Sequence, residues 1–260
     1  MGTSTRTEAF GEGLLQITLD RPDAANSIDA SMAIELAALG RRCEADASIR
    51  AVVLTGAGSR FFCAGGDIGS FAAAGDELPA TLREITMYLH TALSSFARMN
   101  AVLVTAVNGA AAGGGLGVAL AGDLCIAARS ASFKSAYTAI GLSPDGSTSF
   151  WLPRLVGARR AQQMVLTNMT VDSARALEWG LVTEVVEDAL LVARARELAA
   201  GIAALPGPSV AASRRLLLES LEGASLAEQL DRESRSIAQL ALEPEARAQI
   251  DRFLSKSKRG

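Results

Sequence analysis

Two clusters of small residues could place backbone N–H groups where they do chemistry. They are Phe61-Phe62-Cys63-Ala64-Gly65-Gly66-Asp67 and Gly113-Gly114-Gly115-Leu116-Gly117. The first follows a strand; the second follows a strand and opens a helix. N–H groups in the first turn of a helix lack intrahelical partners and lie at the positive end of its dipole. They suit an anion or a developing oxyanion. The glycines fit neither the dinucleotide fingerprint nor a phosphate loop with its Lys-Ser/Thr. Taken singly, such clusters are more often sites of tight packing. Other chemistry is scarce. His90 is the single histidine, and Cys43, Cys63 and Cys125 lie far apart, so no metal site and no disulfide framework are expected. Asp67 and Asp123 near the clusters read as caps or turn ligands. Arg159-Arg160 and Arg214-Arg215 read as solvated helix faces.

The elements that must hold these residues alternate. LLQITL (14–19), AVVLTG (51–56), VLVTAV (102–107) and LCIAA (124–128) read as strands, the middle two as buried parallel ones. Helices are expected over about 31–46, along the stripe Leu82, Ile85, Leu89, Leu93 and Phe96, and directly after the GGG cluster. Residues 57–66 read as a loop and the stretch to about 80 as weakly patterned. Helices are expected at 148–156, 158–166 and 172–179, then a short strand at 182–187, then helices at about 189–204, 208–221, 225–241 and 245–254. Strands alternating with helices give an α/β fold. Pro206 and Pro208 divide it into an α/β core, 1–205, and a helical C-terminal part, 206–260.

Composition bounds the function. Of 260 residues, 49% are apolar and 20% charged, enough for a sizeable core. The net charge of −3 and a pI near 5.4 argue against nucleic-acid partners and a basic membrane surface. The apolar stretch 101–121 is long enough to cross a bilayer. Asn108-Gly109 and Gly113-Gly114-Gly115 break it into a strand, a turn and a helix start. Without an apolar signal core at the N-terminus, a cytoplasmic protein with reduced thiols is expected.

The two clusters in this order, FFCAGGD and then AVNGAAAGGGLG, resemble the crotonase (enoyl-CoA hydratase/isomerase) superfamily. So do ITLDRPDAANSID, GLSPDGSTSFWLPRLVGARRA and ALEWGLVTEVV, and together the likeness spans roughly residues 10 to 255. The resemblance implies a spiral of ββα units with a C-terminal helical trimerisation region. It implies a homotrimer or dimer of trimers, and an acyl-CoA substrate with no cofactor beyond the coenzyme A that the substrate carries. The oxyanion hole then maps onto the N–H groups of Gly66 and Gly114. The CoA arm maps past Ala24, Ala25 and Ser27 and the loop Ala64, Asp67 and Ile68.

The likeness also sets limits. Hydratases of the family use two glutamates, and this chain has Gly117 and Tyr137 at those positions, the second expected on a helix beside the substrate. Paired carboxylates serve to add water across a double bond, so hydration is not expected. Asp145 in Ser143-Pro144-Asp145-Gly146 matches the lone acid of isomerase-like members, which moves a proton between carbons. By itself Asp145 also reads as the cap of a helix starting near Gly146. The leading expectation is therefore enoyl-CoA isomerisation with Asp145 as proton shuttle. A second follows from the 4-chlorobenzoyl-CoA dehalogenase branch: Asp145 as nucleophile and His90 as base for a hydrolytic water. Gly66 and Tyr137 depart from that branch, which has an aromatic residue and a tryptophan there. A third is a non-catalytic acyl-CoA-binding protein.

Overall fold

A computed structural model describes residues 3–221 and 223–257. Ten strands are present among them: β1 (Thr5–Gly11), β2 (Leu14–Leu19), β3 (Ala51–Gly56), β4 (Phe61–Cys63), β5 (Val102–Val107), β6 (Ala110–Ala112), β7 (Leu124–Ala128), β8 (Ser132–Lys134), β9 (Thr170–Asp172) and β10 (Glu184–Val186). The helices are α1 (Ala30–Ala45), α2 (Ile68–Ala74), α3 (Leu78–Arg98), α4 (Gly114–Leu120), α5 (Thr148–Val156), α6 (Ala158–Thr167), α7 (Ser173–Glu178), α8 (Leu191–Ala203), α9 (Gly207–Ser220), α10 (Leu226–Leu240) and α11 (Pro244–Ser257).

The strands form two sheets. The larger has the order β1-β2-β3-β5-β7-β10, antiparallel at β1/β2 and parallel elsewhere. The smaller has the order β4-β6-β8-β9. Three of the parallel strands are each followed by a three-residue strand in the other sheet and then a helix: β3-β4-α2, β5-β6-α4, β7-β8-α5. This is the spiral of ββα units that the motifs imply. β3 and β5 are buried along their whole length, which is why their sequences are continuous apolar runs rather than alternating ones.

Several elements differ from the sequence expectations. β4 lies inside the presumed loop 57–66, β6 inside NGAAAGGG, and β8 and β9 in segments read as irregular or helical. Three residues are too few to show a period. β1 is polar and mostly exposed, paired at the sheet edge, so it carries no apolar signal. α2 occupies part of the weakly patterned stretch and buries no residue. Tyr137 is on no α-helix; it precedes a 3-10 turn, Thr138–Ile140, because Ala136 at φ +63° breaks the chain direction.

Two compact units are present, Met1–Ala200 and Gly201–Gly260, dividing a few residues before the prolines that suggested a boundary at 205/206. In the first, α1 and α3 approach closely. A methyl added to Gly40 would lie 3.0 Å from the Ala92 carbonyl oxygen, and this contact fixes the helix that carries Leu89 and His90. In the second, the Ser225 hydroxyl and Glu228 carboxylate form a reciprocal capping box on α10. No helix among the described residues is long and apolar enough to cross a membrane.

Asn26 holds the segment after β2 in place. It is fully buried at φ +52°, accepts from the Arg21 N–H at 3.0 Å, and donates to the carbonyls of Ala57 and Phe61, each at 2.9 Å. Replacing it with alanine leaves three backbone groups without this partner. At about 1 kcal/mol for each bond lost, Asn26→Ala is expected to lower unfolding free energy by about 3 kcal/mol, read from urea denaturation.

Candidate active site

The segment Ala25–Ile28 runs beside Ala64–Asp67. Ala64 N–H donates to the Ala25 carbonyl (3.1 Å), Ile28 N–H to the Gly65 carbonyl (2.7 Å), and Asp67 N–H to the Ile28 carbonyl (3.0 Å). Along an extended segment successive groups face opposite ways, so this pairing turns the Gly66 N–H to the other side. Among the described residues it meets no acceptor. Gly114 is the first residue of α4, and its N–H is likewise unpaired, as the geometry of a helix start dictates.

Two glycines with positive φ bring these donors together. Gly65 is at φ +93° and Gly113 at φ +54°, ψ −129°. A Cβ on Gly65 would lie 2.8 Å from the Ala112 carbonyl oxygen and 3.1 Å from the Gly114 nitrogen. Only glycine permits both the conformation and the approach. Gly65→Ala is therefore expected to push the two turns apart and, through the strained backbone, to lower unfolding free energy by about 1–3 kcal/mol, read from urea denaturation.

Gly66 and Gly114 line one cavity of about 390 Å³. Ile28, Phe71, Leu82, Ile85, Leu89, Ile140 and Leu142 give it an apolar wall; Ala64, Ile68, Tyr137 and Asp145 also line it. Such a pocket, apolar with a few convergent polar groups, suits a small organic ligand. Phe71 answers one departure noted in the sequence. Its ring tip lies 2.3 Å from where a Cβ on Gly66 would stand, so an aromatic ring fills the space of the missing side chain.

Asp145 is the carboxylate on this wall. It does not cap a helix: Gly146 and Ser147, at φ +58° and +66°, delay the start of α5 to Thr148, and the cap position makes no side-chain bond. Instead Asp145 Oδ1 lies 2.7 Å from His90 Nε2. His90, about half exposed on α3, is not part of the cavity wall and reaches the site only through Asp145.

Tyr137 is buried, and its hydroxyl lies 3.8 Å from an ideal Cβ on Gly114. Burial and then the nearby Asp145 charge push its ionisation well above the ordinary tyrosine value, so it stays a neutral phenol. The hydroxyl meets hydrogen-bond geometry with no group, although the Asp145 backbone and the Thr148 hydroxyl lie close enough to favour its ionised form. Beneath it, Gly117 has no room for any side chain: a Cβ there would sit 1.8 Å from the Gly146 carbonyl oxygen. The backbone that carries Asp145 occupies the place where hydratases of the family have a glutamate.

The site gathers Gly66, Gly114, Asp145, Ala64, Ile68 and Tyr137 on one surface. Ala24, Ala25, Ser27 and Asp67 lie outside that wall, on the adjoining segments. The Asp67 carboxylate serves structure. It caps α2 through the Ser70 N–H (3.1 Å) and pairs with Arg21 (2.9 Å), contacts that hold its pKa below the usual range. Cys63, fully buried behind the site, has its thiol pushed up to about 12 by burial and is no nucleophile. Sequence reasoning missed Arg21, Asn26 and Phe71; the first two lie within ITLDRPDAANSID, where their repeated polar character was the available signal.

The family model for "Enoyl-CoA hydratase/isomerase" matches residues 9–259. A "Probable enoyl-CoA hydratase" of Rhodobacter capsulatus is 41% identical, over 95% of this chain and 93% of that one. A "4-chlorobenzoyl coenzyme A dehalogenase-2" of an Arthrobacter species is 38% identical over 75% and 71%. A "1,2-epoxyphenylacetyl-CoA isomerase" of Escherichia coli is 34% identical over 94% and 93%. Among solved structures, an enoyl-CoA hydratase from Bacillus anthracis superposes with a TM-score of 0.92 at 28% identity, over 97% and 96% of the two chains.

Proposed function

The chain belongs to the enoyl-CoA hydratase/isomerase family, and from that premise we propose that it shifts a carbon–carbon double bond within an acyl-CoA thioester. The observation that carries this reading is a single carboxylate on a cavity that also presents two unpaired backbone N–H groups. The thioester oxygen accepts from Gly66 and Gly114 N–H. Asp145 takes a proton from C2, and the electron pair delocalises onto that oxygen as a dienolate. Asp145 then returns the proton to C4, and the double bond forms between C2 and C3. Atoms and electrons balance within the substrate, so the chemistry uses no cofactor and no water.

Two donors of this kind supply roughly 3 kcal/mol each toward the enolate. His90 holds one oxygen of Asp145 and leaves the other for the substrate. Hydration is disfavoured because Gly117 and Tyr137 provide no carboxylate pair, and because the space above Gly117 is filled. The relative named as an isomerase supports the reading. The test is mass spectrometry of products from a panel of 3-enoyl-, 2-enoyl- and aryl-CoA thioesters. Conjugated 2-enoyl-CoA of unchanged mass is expected from 3-enoyl-CoA; a product heavier by one water would refute it.

A second reading is favoured by the 2.7 Å His90–Asp145 contact and by the relative named as a dehalogenase. In it Asp145 attacks a halogenated aryl ring, halide leaves, and water hydrolyses the aryl ester with His90 as base. Labelled oxygen from water then enters Asp145 within one turnover; an unlabelled Asp145 excludes it.

The exposed Leu226, Leu230 and Ile237 on α10 and Ile250 and Phe253 on α11 support a homotrimer or a dimer of trimers, tested by analytical ultracentrifugation. A cytoplasmic location accords with three buried free thiols.

A further inference from the structure

One guanidinium sits between the two segments that orient the Gly66 N–H. Arg21 Nη2 is 2.9 Å from Asp67 Oδ2 and 3.2 Å from Asp29 Oδ2. Its Nη1 donates to the Ser27 carbonyl at 2.6 Å and lies 3.4 Å from the Ser27 hydroxyl, which itself reaches Asp67 Oδ2 at 3.4 Å. All three charged side chains are about four-fifths buried. Asp29 and Asp67 are the caps of α1 and α2, accepting from Met32 N–H and Ser70 N–H. Arg21 therefore ties two helix starts together.

The position of this tie matters. Ser27 precedes Ile28, and Asp67 follows Gly66. Between them runs the short ladder in which Ile28 pairs with Gly65 and Asp67, the pairing that turns the Gly66 N–H into the cavity. We infer that Arg21 is a positioning residue for the reaction, clamping both sides of this ladder so that the Gly66 N–H is aimed at the thioester oxygen. This rests on the reading of Gly66 and Gly114 as the oxyanion donors. A planar fork with fixed donors can reach two carboxylates and a carbonyl at once; a lysine ammonium presents a single point charge and cannot hold the same set. Arg21, Ser27, Asp29 and Asp67 do not themselves line the cavity, so loss of the clamp should misaim a donor while leaving the pocket's apolar side chains in place.

The test uses 2,4-hexadienoyl-CoA, a conjugated thioester whose absorption moves to longer wavelength when its carbonyl accepts hydrogen bonds. Titration of the full chain yields affinity and spectral shift separately. The wild type is expected to bind the probe with a red shift. Arg21→Lys and Asp67→Asn are expected to bind within about threefold of wild type, to show less than about half of the shift, and to lose about tenfold in kcat on 3-enoyl-CoA with KM little changed. Arg98→Lys, at a surface pair with Glu44, serves as the control that keeps shift and turnover. Wild-type shift and kcat in both Arg21→Lys and Asp67→Asn would overturn the inference. So would loss of fold in both, because that marks Arg21 as a general scaffold. Probe binding without a red shift in the wild type would instead overturn the donor pair itself, and this inference with it.

Discussion

Asp145→Asn is expected to reduce double-bond isomerisation of 3-enoyl-CoA by about a thousandfold or more while leaving acyl-CoA affinity within about threefold. The amide has nearly the shape of the carboxylate and can still meet His90 Nε2 at the observed 2.7 Å. It cannot take a proton from C2. Among the described residues no other carboxylate lines the cavity: the wall's remaining polar groups are hydroxyls and backbone, and Tyr137 is held as a neutral phenol. Steady-state rates with Asp145→Asn beside the wild type decide the matter. The effect should fall on kcat, since the two N–H donors and the apolar wall are untouched. Asp145→Asn activity within tenfold of wild type would remove Asp145 from the mechanism.

The second large effect concerns Gly117→Glu, the change that restores one glutamate of the hydratase pattern. It is expected to create no hydratase. A Cβ at this position falls 1.8 Å from the Gly146 carbonyl oxygen and 3.1 Å from the Thr148 hydroxyl oxygen. Neither backbone nor a buried side chain can yield by that much without moving the 145–148 segment. Overpacking of this kind costs about 3 kcal/mol or more. Displacement of the loop also separates Asp145 from His90 and from the donors, so isomerisation should drop about a hundredfold as well. Chemical denaturation and product analysis read the two consequences. Gly117→Glu with normal stability and water-adding activity would show that the loop is free to open, and that the missing glutamate alone decides between the reactions.

Much of this arrangement was legible in the residues. AVVLTG and VLVTAV announce buried parallel strands because they bury both faces and so carry no polar alternation. Gly66 and Gly114 could be singled out because two glycine clusters recur in a family order, whereas composition alone favoured packing. The positive φ values of Gly65 and Gly113 supply the physical reason that a glycine precedes each donor. What stayed hidden has common causes. Strands of three residues show no period. Asp145 was singled out as the proton shuttle, but its competing reading as a helix cap could not be set aside from sequence, because local sequence cannot reveal that Gly146 and Ser147 adopt left-handed conformations and postpone the helix. Arg21 and Asn26 act through partners more than thirty residues away, Asp67 for one and Ala57 and Phe61 for the other, and no spacing rule records such contacts. Phe71 shows that an aromatic wall can survive the loss of an aromatic residue at position 66 when a neighbouring helix supplies the ring.

The central claim is that one carboxylate carries a proton from one carbon of a bound acyl-CoA to another. Mass spectrometry of the product formed from 3-enoyl-CoA deuterated at C2 tests it most directly. The expected product is 2-enoyl-CoA with no added water and with part of the deuterium now at C4, absent when Asp145→Asn replaces the wild type. A water-added product, or a C4 position that carries only solvent hydrogen, would contradict it.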